Sequence, residues 1–475
     1  MKNNKILLWL CCFMVILGCN SEDDTASREP IGFYLTPEQL QFNANQASAI
    51  INIHIDGNRN WTINNNANWL TVAENSGTGV AHVGLTVTAN ESSEARTATI
   101  IIQSDSETRE LVVQQSGTIV NEFVYDIPPD ATNMSTLTSV ALTAEMGTGW
   151  NLGNSLEAIG GETAWGNPMI SQQLIDAVKA AGFNTIRIPV SWSNFSDEAN
   201  FIINPAWLSR VEEVVNYALN NDMYVIMNEH WDGGWMQPTY AEQEYVNNRL
   251  AKMWKQIATH FRDYDYHMIF AGTNEVMVTG DYGTPTAEYY TVQNSFNQTF
   301  VTAVRSTGGR NAYRYLTVQG FNTNINHTVA FAQIPEDVTE NRLLMEVHYY
   351  DPYNFTLNEN STITQWGSIA TDPALTETWA NESYADSQFE QMKTNFIDEG
   401  IGVILGEYGA ILRSDVEGSE TFRAYYLEYV SNAARTRGLV PVYWDNGPTT
   451  NHAMGIFNRT TGELVYPDIL NAIMP

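Results

Sequence analysis

Two glutamates stand at the ends of apolar runs in this chain: Phe270-Ala271-Gly272-Thr273-Asn274-Glu275 closes on one, and Val403-Ile404-Leu405-Gly406-Glu407-Tyr408-Gly409 carries the other. A carboxylate beside an apolar strand is costly to desolvate without a partner, so both positions call for a reason. Held ~5 to 5.5 Å apart across a cleft, two carboxyls make the retaining-glycosidase pair, in which one attacks an anomeric carbon while the other protonates the leaving oxygen and then deprotonates water. His230 and His348 are the other candidates for chemistry. Neither lies in a His-x-x-x-His or His-x-His spacing, which argues against zinc, and no cofactor is called for.

Something must carry the two glutamates to one place. From residue 139 onward, strand-like runs alternate with helical stretches such as Ser171 to Ala181, Pro205 to Asn220 and Tyr240 to Phe261, an arrangement that forces a parallel sheet. Eight strand candidates are present: Gly147 to Gly153, Thr185 to Val190, Tyr224 to Trp231, Met268 to Asn274, Tyr315 to Gln319, Leu343 to Tyr349, Val403 to Tyr408 and Val440 to Trp444. With no Rossmann glycine fingerprint, this pattern predicts an α/β fold of the (β/α)8 TIM-barrel type, whose functional residues gather at the C-terminal strand ends. Glu275 and Glu407 end strands four and seven, which lie roughly opposite each other across such a barrel mouth.

These motifs resemble glycoside hydrolase family 5, and the match runs through essentially the whole barrel. Asn274-Glu275 and Gly406-Glu407-Tyr408-Gly409 are joined by Arg187 in Thr185-Ile186-Arg187-Ile188-Pro189-Val190 and His230 in Asn228-Glu229-His230-Trp231. His348 and Tyr350 fall in Glu346-Val347-His348-Tyr349-Tyr350-Asp351-Pro352-Tyr353, and Trp444 in Tyr443-Trp444-Asp445-Asn446-Gly447. The resemblance implies a retaining endo-β-1,4-glucanase with Glu275 as acid/base and Glu407 as nucleophile. To begin protonated, Glu275 needs burial or a negative neighbour, which an ionised Glu407 supplies. Asn274 is suited to the sugar 2-hydroxyl, Arg187 to orienting Glu407, and Tyr350 to donating to the nucleophile. His230 and His348 would hold sugar hydroxyls or the carboxylates, and Trp444 would be the stacking floor. Glu346 shares the inward face with His348 one layer deeper, and is expected to pair with a buried cation such as Arg187.

Substrate choice rests on finer likenesses. Gly149-Trp150-Asn151-Leu152-Gly153-Asn154 and Tyr350-Asp351-Pro352-Tyr353-Asn354-Phe355 look most like subfamily 4, which includes cellulases, mixed-linkage glucanases and xyloglucanases. The run Trp231-Asp232-Gly233-Gly234-Trp235 resembles that of xyloglucan-active members, and at least one of Trp231 and Trp235 is expected to be a substrate platform. The implied substrate is xyloglucan, with an unbranched β-glucan as the alternative. A catalytically inert glycan-binding barrel would usually lack one of the two carboxylates, and both are present here.

The N-terminal third has a different texture. Lys2 and Lys5 precede an apolar stretch from Ile6 to Leu17, right for a secretory signal and too short to span a bilayer. Ile16-Leu17-Gly18-Cys19 resembles a bacterial lipobox, so residues 1–18 are expected to be removed and Cys19 acylated, anchoring the protein in a membrane. The following Asn20-Ser21-Glu22-Asp23-Asp24 resembles the acidic signal for the outside of the outer membrane. All three cysteines (Cys11, Cys12 and Cys19) fall in this segment, so the mature chain has no disulfide pair.

After an acidic stretch (19–32), residues 33–117 show short alternating runs with Asn, Gly and Ser between them, as in Val83-Gly84-Leu85-Thr86-Val87-Thr88-Ala89. This predicts an all-β sandwich. Asn60-Trp61-Thr62-Ile63, Asn68-Trp69-Leu70-Thr71-Val72 and Val113-Gln114-Gln115-Ser116-Gly117 resemble the BACON module, immunoglobulin-like and often attached to carbohydrate-active enzymes. Trp61 and Trp69 look like core residues, which favours a spacer over a glycan binder. Residues 118–138, with Pro128-Pro129, read as a linker before the barrel at 139–475. The balance of 23 Lys+Arg against 54 Asp+Glu makes nucleic acid an unsuitable partner, whereas 13 Trp and 23 Tyr suit a neutral polysaccharide.

Overall fold

Apolar residues at alternate positions between Ala47 and Gln115 turn inward from two facing sheets. The computed structural model describes residues 32–117, apart from Glu38, Asn43, Asn45, Glu91 and Ser93, and residues 127–475, apart from Trp231. Cys19 with its preceding signal, and Trp231, lie outside the described residues. One sheet orders the strands Tyr34–Thr36, Ala47–His54, Ala81–Val87 and Leu70–Val72; the other orders Gln39–Phe42, Glu107–Gln115, Arg96–Ser104, Asn60–Asn64 and Ser76–Thr78. The short alternating runs expected between 33 and 117 are thus nine strands in the two sheets. Trp61 is buried, its Nε1 donates to Gly79 O at 3.0 Å, and its ring leaves no room for a side chain on Gly77. Trp69 differs from the expected core position. It packs half-buried at the core's edge under the Arg96 guanidinium, which is 4.5 Å from its ring centroid.

The chain divides into two units between Val120 and Asn121. Residues 127–138, read as linker, belong to the second unit. Ile127–Pro129 pairs in parallel with Gly308–Gly309, Arg342 Nη2 donates to Ser135 O at 2.7 Å, and Tyr315 Oη donates to Leu137 O at 2.6 Å. Gly308 is required there, because its φ is 66° and a Cβ would fall on Ile127 O.

Eight parallel strands close the second unit into a barrel: β1 (Gly149–Leu152), β2 (Thr185–Ile188), β3 (Tyr224–Asn228), β4 (Met268–Ala271), β5 (Leu316–Gln319), β6 (Leu343–Tyr349), β7 (Gly402–Tyr408) and β8 (Leu439–Asp445). Helices cover their outer face, so almost every strand residue is buried, as parallel sheets demand. The helix Ser139–Met146 is capped by Thr138, whose Oγ1 accepts from Ala141 N at 3.2 Å. It packs Leu142 and Met146 onto the inward-facing Tyr224, Ile226, Leu344, Ile404 and Val440 near the strand starts. That plug leaves the opposite end, the C-terminal strand ends, as the place for a cleft. Among the described residues no helix is long and apolar enough to cross a membrane.

Candidate active site

A one-residue irregularity decides which way Glu407 faces. Strands β6 and β7 pair with Val347 opposite Leu405, and the next pair is His348 opposite Glu407; Gly406 is the extra residue. The β7–β8 register makes the same jump, from Leu405 opposite Pro441 to Tyr408 opposite Tyr443. Strict alternation would send Glu407 to the helix side along with Leu405. The bulge turns it into the barrel mouth, a common use of bulges beside active sites.

Inside the mouth, a buried ion network holds the carboxylates. The fully buried Arg187, at the end of β2, places Nε 2.9 Å from Glu346 Oε1 and donates from Nη1 to Glu407 Oε1 at 2.8 Å. The same Nη1 donates to Asn151 Oδ1 at 3.1 Å, and Nη2 donates to Asn274 Oδ1 at 2.6 Å. With its oxygen held by Arg187, Asn274 has its amide N–H groups left for a ligand. Tyr350 Oη donates to Glu407 Oε2 at 3.0 Å. Glu346 is the buried partner of Arg187 expected from its place one layer down.

The two histidines are in opposite states. Burial opposes charge on His348, but Glu407, Glu275 and Glu346 outweigh it and raise the imidazole to about 9. As an imidazolium it donates from Nδ1 to Glu275 Oε1 at 2.6 Å and from Nε2 to Glu346 Oε1 at 3.1 Å. Burial, with Arg187 and His348 adding repulsion, pushes His230 well below the ordinary imidazole range. Neutral His230 sits against Asn228 at 3.0 Å and lies parallel to Trp444, ring centroids 5.9 Å apart. Two buried cations, Arg187 and His348, thus face two buried anions, Glu346 and Glu407. Desolvation raises the Glu407 carboxyl and His348 and Arg187 pull it back, while Arg187 and His348 overcome desolvation to hold Glu346 below the usual range.

Glu275 leaves the end of β4 through a left-handed turn, with φ 46° and its N–H donated to Gln319 Oε1 at 3.1 Å. Its side chain is 38% exposed, in contrast to the nearly closed Glu407. An oxygen of Glu275, an oxygen of Glu407 and a ring nitrogen of His348 all lie within 4.8 Å of one another. That spacing would also admit a cation, yet both nitrogens of His348 are donating and have no lone pair to offer, and Arg187 adds positive charge beside them. The constellation suits proton transfer and attack at carbon.

Arg187, His230, Asn274, Glu275, His348, Tyr350, Glu407 and Trp444 therefore share one cleft. Trp444 lies over Gly153, where a Cβ would come within 2.8 Å of the indole. Trp235 stands to one side and, with Gln237, Glu275 and Tyr282, lines a cavity of about 250 Å³. Not anticipated from sequence were Asn151, which donates to Gly406 O at 2.8 Å and braces the bulge, and Gln319, which holds the Glu275 turn. Both are polar residues on inward-facing barrel strands, a signal that was available.

A barrel with one carboxylate on each of two facing strand ends, close enough to share a sugar, defines a glycosidase of the retaining kind. Residues 151–450 match the family model for cellulase (glycosyl hydrolase family 5), and residues 32–118 match that of the viral BACON domain. The chain is 40% identical to the xyloglucan-specific endo-beta-1,4-glucanase BoGH5A of Bacteroides ovatus, over 97% of this chain and 94% of the relative. Among solved structures, the Bacteroides ovatus GH5 xyloglucanase in complex with a XXXG heptasaccharide superposes with a TM-score of 0.70 and 39% identity, covering 93% of this chain and 99% of the other. A GH5-4 broad specificity endoglucanase from Bacteroides salanitronis follows at 0.68 and 38%, covering 75% and 97%. The chain belongs to glycoside hydrolase family 5.

Proposed function

We propose that the chain is a retaining endo-β-1,4-glucanase that cuts the glucan backbone of xyloglucan, with Glu407 as nucleophile and Glu275 as acid/base. The observation that carries this reading is the approach of the two carboxylates to within 4.8 Å, since an inverting pair needs ~6.5 to 9.5 Å to admit a water between them. Arg187 and Tyr350 aim Glu407 at the anomeric carbon. As its oxygen forms the new bond, the glycosidic C–O bond breaks and the proton of Glu275 passes to the leaving oxygen. His348 donates to Oε1 of Glu275, so Oε2 is the oxygen available to carry that proton. In the second half, Glu275 as carboxylate takes a proton from water, whose oxygen attacks the anomeric carbon and releases Glu407. Asn274 is placed to hold the sugar 2-hydroxyl and Trp444 to stack beneath the ring.

Xyloglucan as substrate is supported by the name of the 40% identical relative. The broad-specificity endoglucanase at 38% supports a second reading, in which unbranched β-glucans are cut as well. The lipobox-like Cys19 and the acidic residues after it support anchoring at the outer face of an outer membrane, with the β-sandwich as spacer.

The test is to follow new reducing ends from xyloglucan, mixed-linkage β-glucan and hydroxyethyl cellulose, with Glu407→Gln as control. Dominant cutting of xyloglucan and loss of more than about a thousandfold in the control are expected. Preference for an unbranched glucan would move the specificity to the second reading, and binding without cutting would remove the enzymatic one. For the anchor, metabolic labelling with a fatty acid should mark the wild type and not Cys19→Ala.

A further inference from the structure

Past the end of β3 lies a second acidic pair that the hydrolysis does not use. Asp232, 4% exposed, accepts from Ser191 Oγ, Ser193 N and Asn194 Nδ2, all on the segment after β2, and is well satisfied as a carboxylate. Glu229, 1% exposed, is not. Its Oε1 accepts from Trp235 Nε1 at 3.3 Å, while Oε2 is buried with no hydrogen-bond donor. A buried carboxylate oxygen without a donor is uncompensated unless it carries a proton. Desolvation, and then the charge of Asp232, raise Glu229 well above the carboxylate range against the weaker pull of Arg249, in keeping with that geometry.

The residue Glu229 holds is one of those that wall the cavity beside Glu275. Arg249 lies 4.6 Å from the Trp235 ring centroid and is itself held by Tyr245 Oη at 3.1 Å. Gln237 laces the loops after β3 and β4, donating to Thr279 Oγ1 at 2.9 Å and accepting from Thr279 N at 3.1 Å. The cavity is bordered by Glu275, the group that protonates the leaving oxygen, and not by Glu407. Asn274 borders it too, and with Glu275 in its wall and Glu407 outside it the geometry points to the leaving-group side of the scissile bond.

We propose that Glu229 is a positioning residue for the leaving-group arm of the polysaccharide, holding Trp235 by its indole N–H as the wall against which the sugar beyond the scissile bond rests. The proposal deepens the hydrolase reading and rests on Glu275 as the acid. Glu229 acts as a neutral acid that accepts from the indole and donates toward Asp232, a role for which a glutamine has the matching acceptor oxygen and donor nitrogen.

The experiment compares Glu229→Ala, Glu229→Gln and Trp235→Phe on xyloglucan and on a nitrophenyl β-cello-oligosaccharide, whose leaving group is no sugar and needs no wall. Glu229→Ala should raise KM on the polysaccharide about tenfold while changing aryl-glycoside hydrolysis far less, and Glu229→Gln should restore the polysaccharide KM. Trp235→Phe, which keeps a ring and removes the N–H, should raise KM in the same direction and add little to Glu229→Ala. Equal losses on both substrates, a glutamine variant as impaired as the alanine one, or a normal polysaccharide KM in Trp235→Phe would each overturn the proposal. A failure of the acid assignment shows separately: Glu275→Ala should lose polysaccharide cleavage, keep bond breaking on the aryl glycoside and regain turnover with azide, whereas wild-type polysaccharide cleavage with no azide effect would mean that another group is the acid.

Discussion

The carboxylate of Glu346 occupies the place where a side chain on Gly406 would stand. The extra residue of the β7 bulge therefore has to be glycine, and the same bulge turns Glu407 toward His348. Glu346 pairs with Arg187, and Arg187 holds Glu407, so three positions of the cleft depend on one missing Cβ.

Gly406→Ala follows from this directly. The methyl group displaces Glu346 or straightens the bulge, at a cost of about 1–3 kcal/mol in stability as for other overpacked sites. Activity should fall by more than about tenfold, because Arg187 and Glu407 move with it. Denaturant unfolding and steady-state kinetics on one preparation check both.

Removing one member of the buried pair leaves the other charge without compensation. Arg187→Met or Glu346→Leu alone should each cost about 3–5 kcal/mol, and the double variant should cost clearly less than their sum. The double variant recovers stability without recovering turnover, since Glu407 still lacks its guanidinium. Independent, additive losses in chemical denaturation would contradict the pairing.

His348 ties stability to pH with a definite sign. Its imidazole is raised from 6.5 to about 9 by Glu407, Glu275 and Glu346 against the opposing effect of burial. The stabilisation is fully present below about 6.5, the unfolded value, and is lost as pH rises through about 9. Wild type should exceed His348→Gln by about 3 kcal/mol at the acidic end of that window, with the gap narrowing toward its alkaline end. A gap that widens with rising pH would rule out the charged imidazole.

Tyr350→Phe removes one donor from Glu407 while Arg187 stays. A hydrogen bond to a charged acceptor contributes about 1.5–3 kcal/mol to the folded state, so the melting temperature should fall by a few degrees, and loss of the orienting donor should lower kcat by roughly tenfold to a hundredfold. Burial and the neighbouring carboxylates raise the Tyr350 hydroxyl well above its ordinary value, so it stays a donor across the working pH range. An unchanged kcat would remove Tyr350 from the orientation of Glu407.

The barrel was readable because its signal is local. The run Leu343 to Tyr349 carries both strand ends in its own residues, and Glu275 and Glu407 each follow such an apolar run directly along the chain. The linker's true extent was not readable, since Ile127–Pro129 joins the barrel only by meeting Gly308–Gly309, far along the chain. Trp69 looked like Trp61 in sequence and differs because Arg96 covers its ring at the core's edge.

Sequence alone determined the two folds, the strand order implied by alternating strands and helices, and the residue types at the mouth, because periodicity and strand ends are properties of neighbours along the chain. Tertiary structure alone decided that Glu407 faces inward, that His348 is charged while His230 is neutral, and that Glu229 holds Trp235. Those outcomes depend on desolvation and on charges brought together from distant positions. Arg187 and Glu407, 220 residues apart, meet at 2.8 Å only once the barrel has closed.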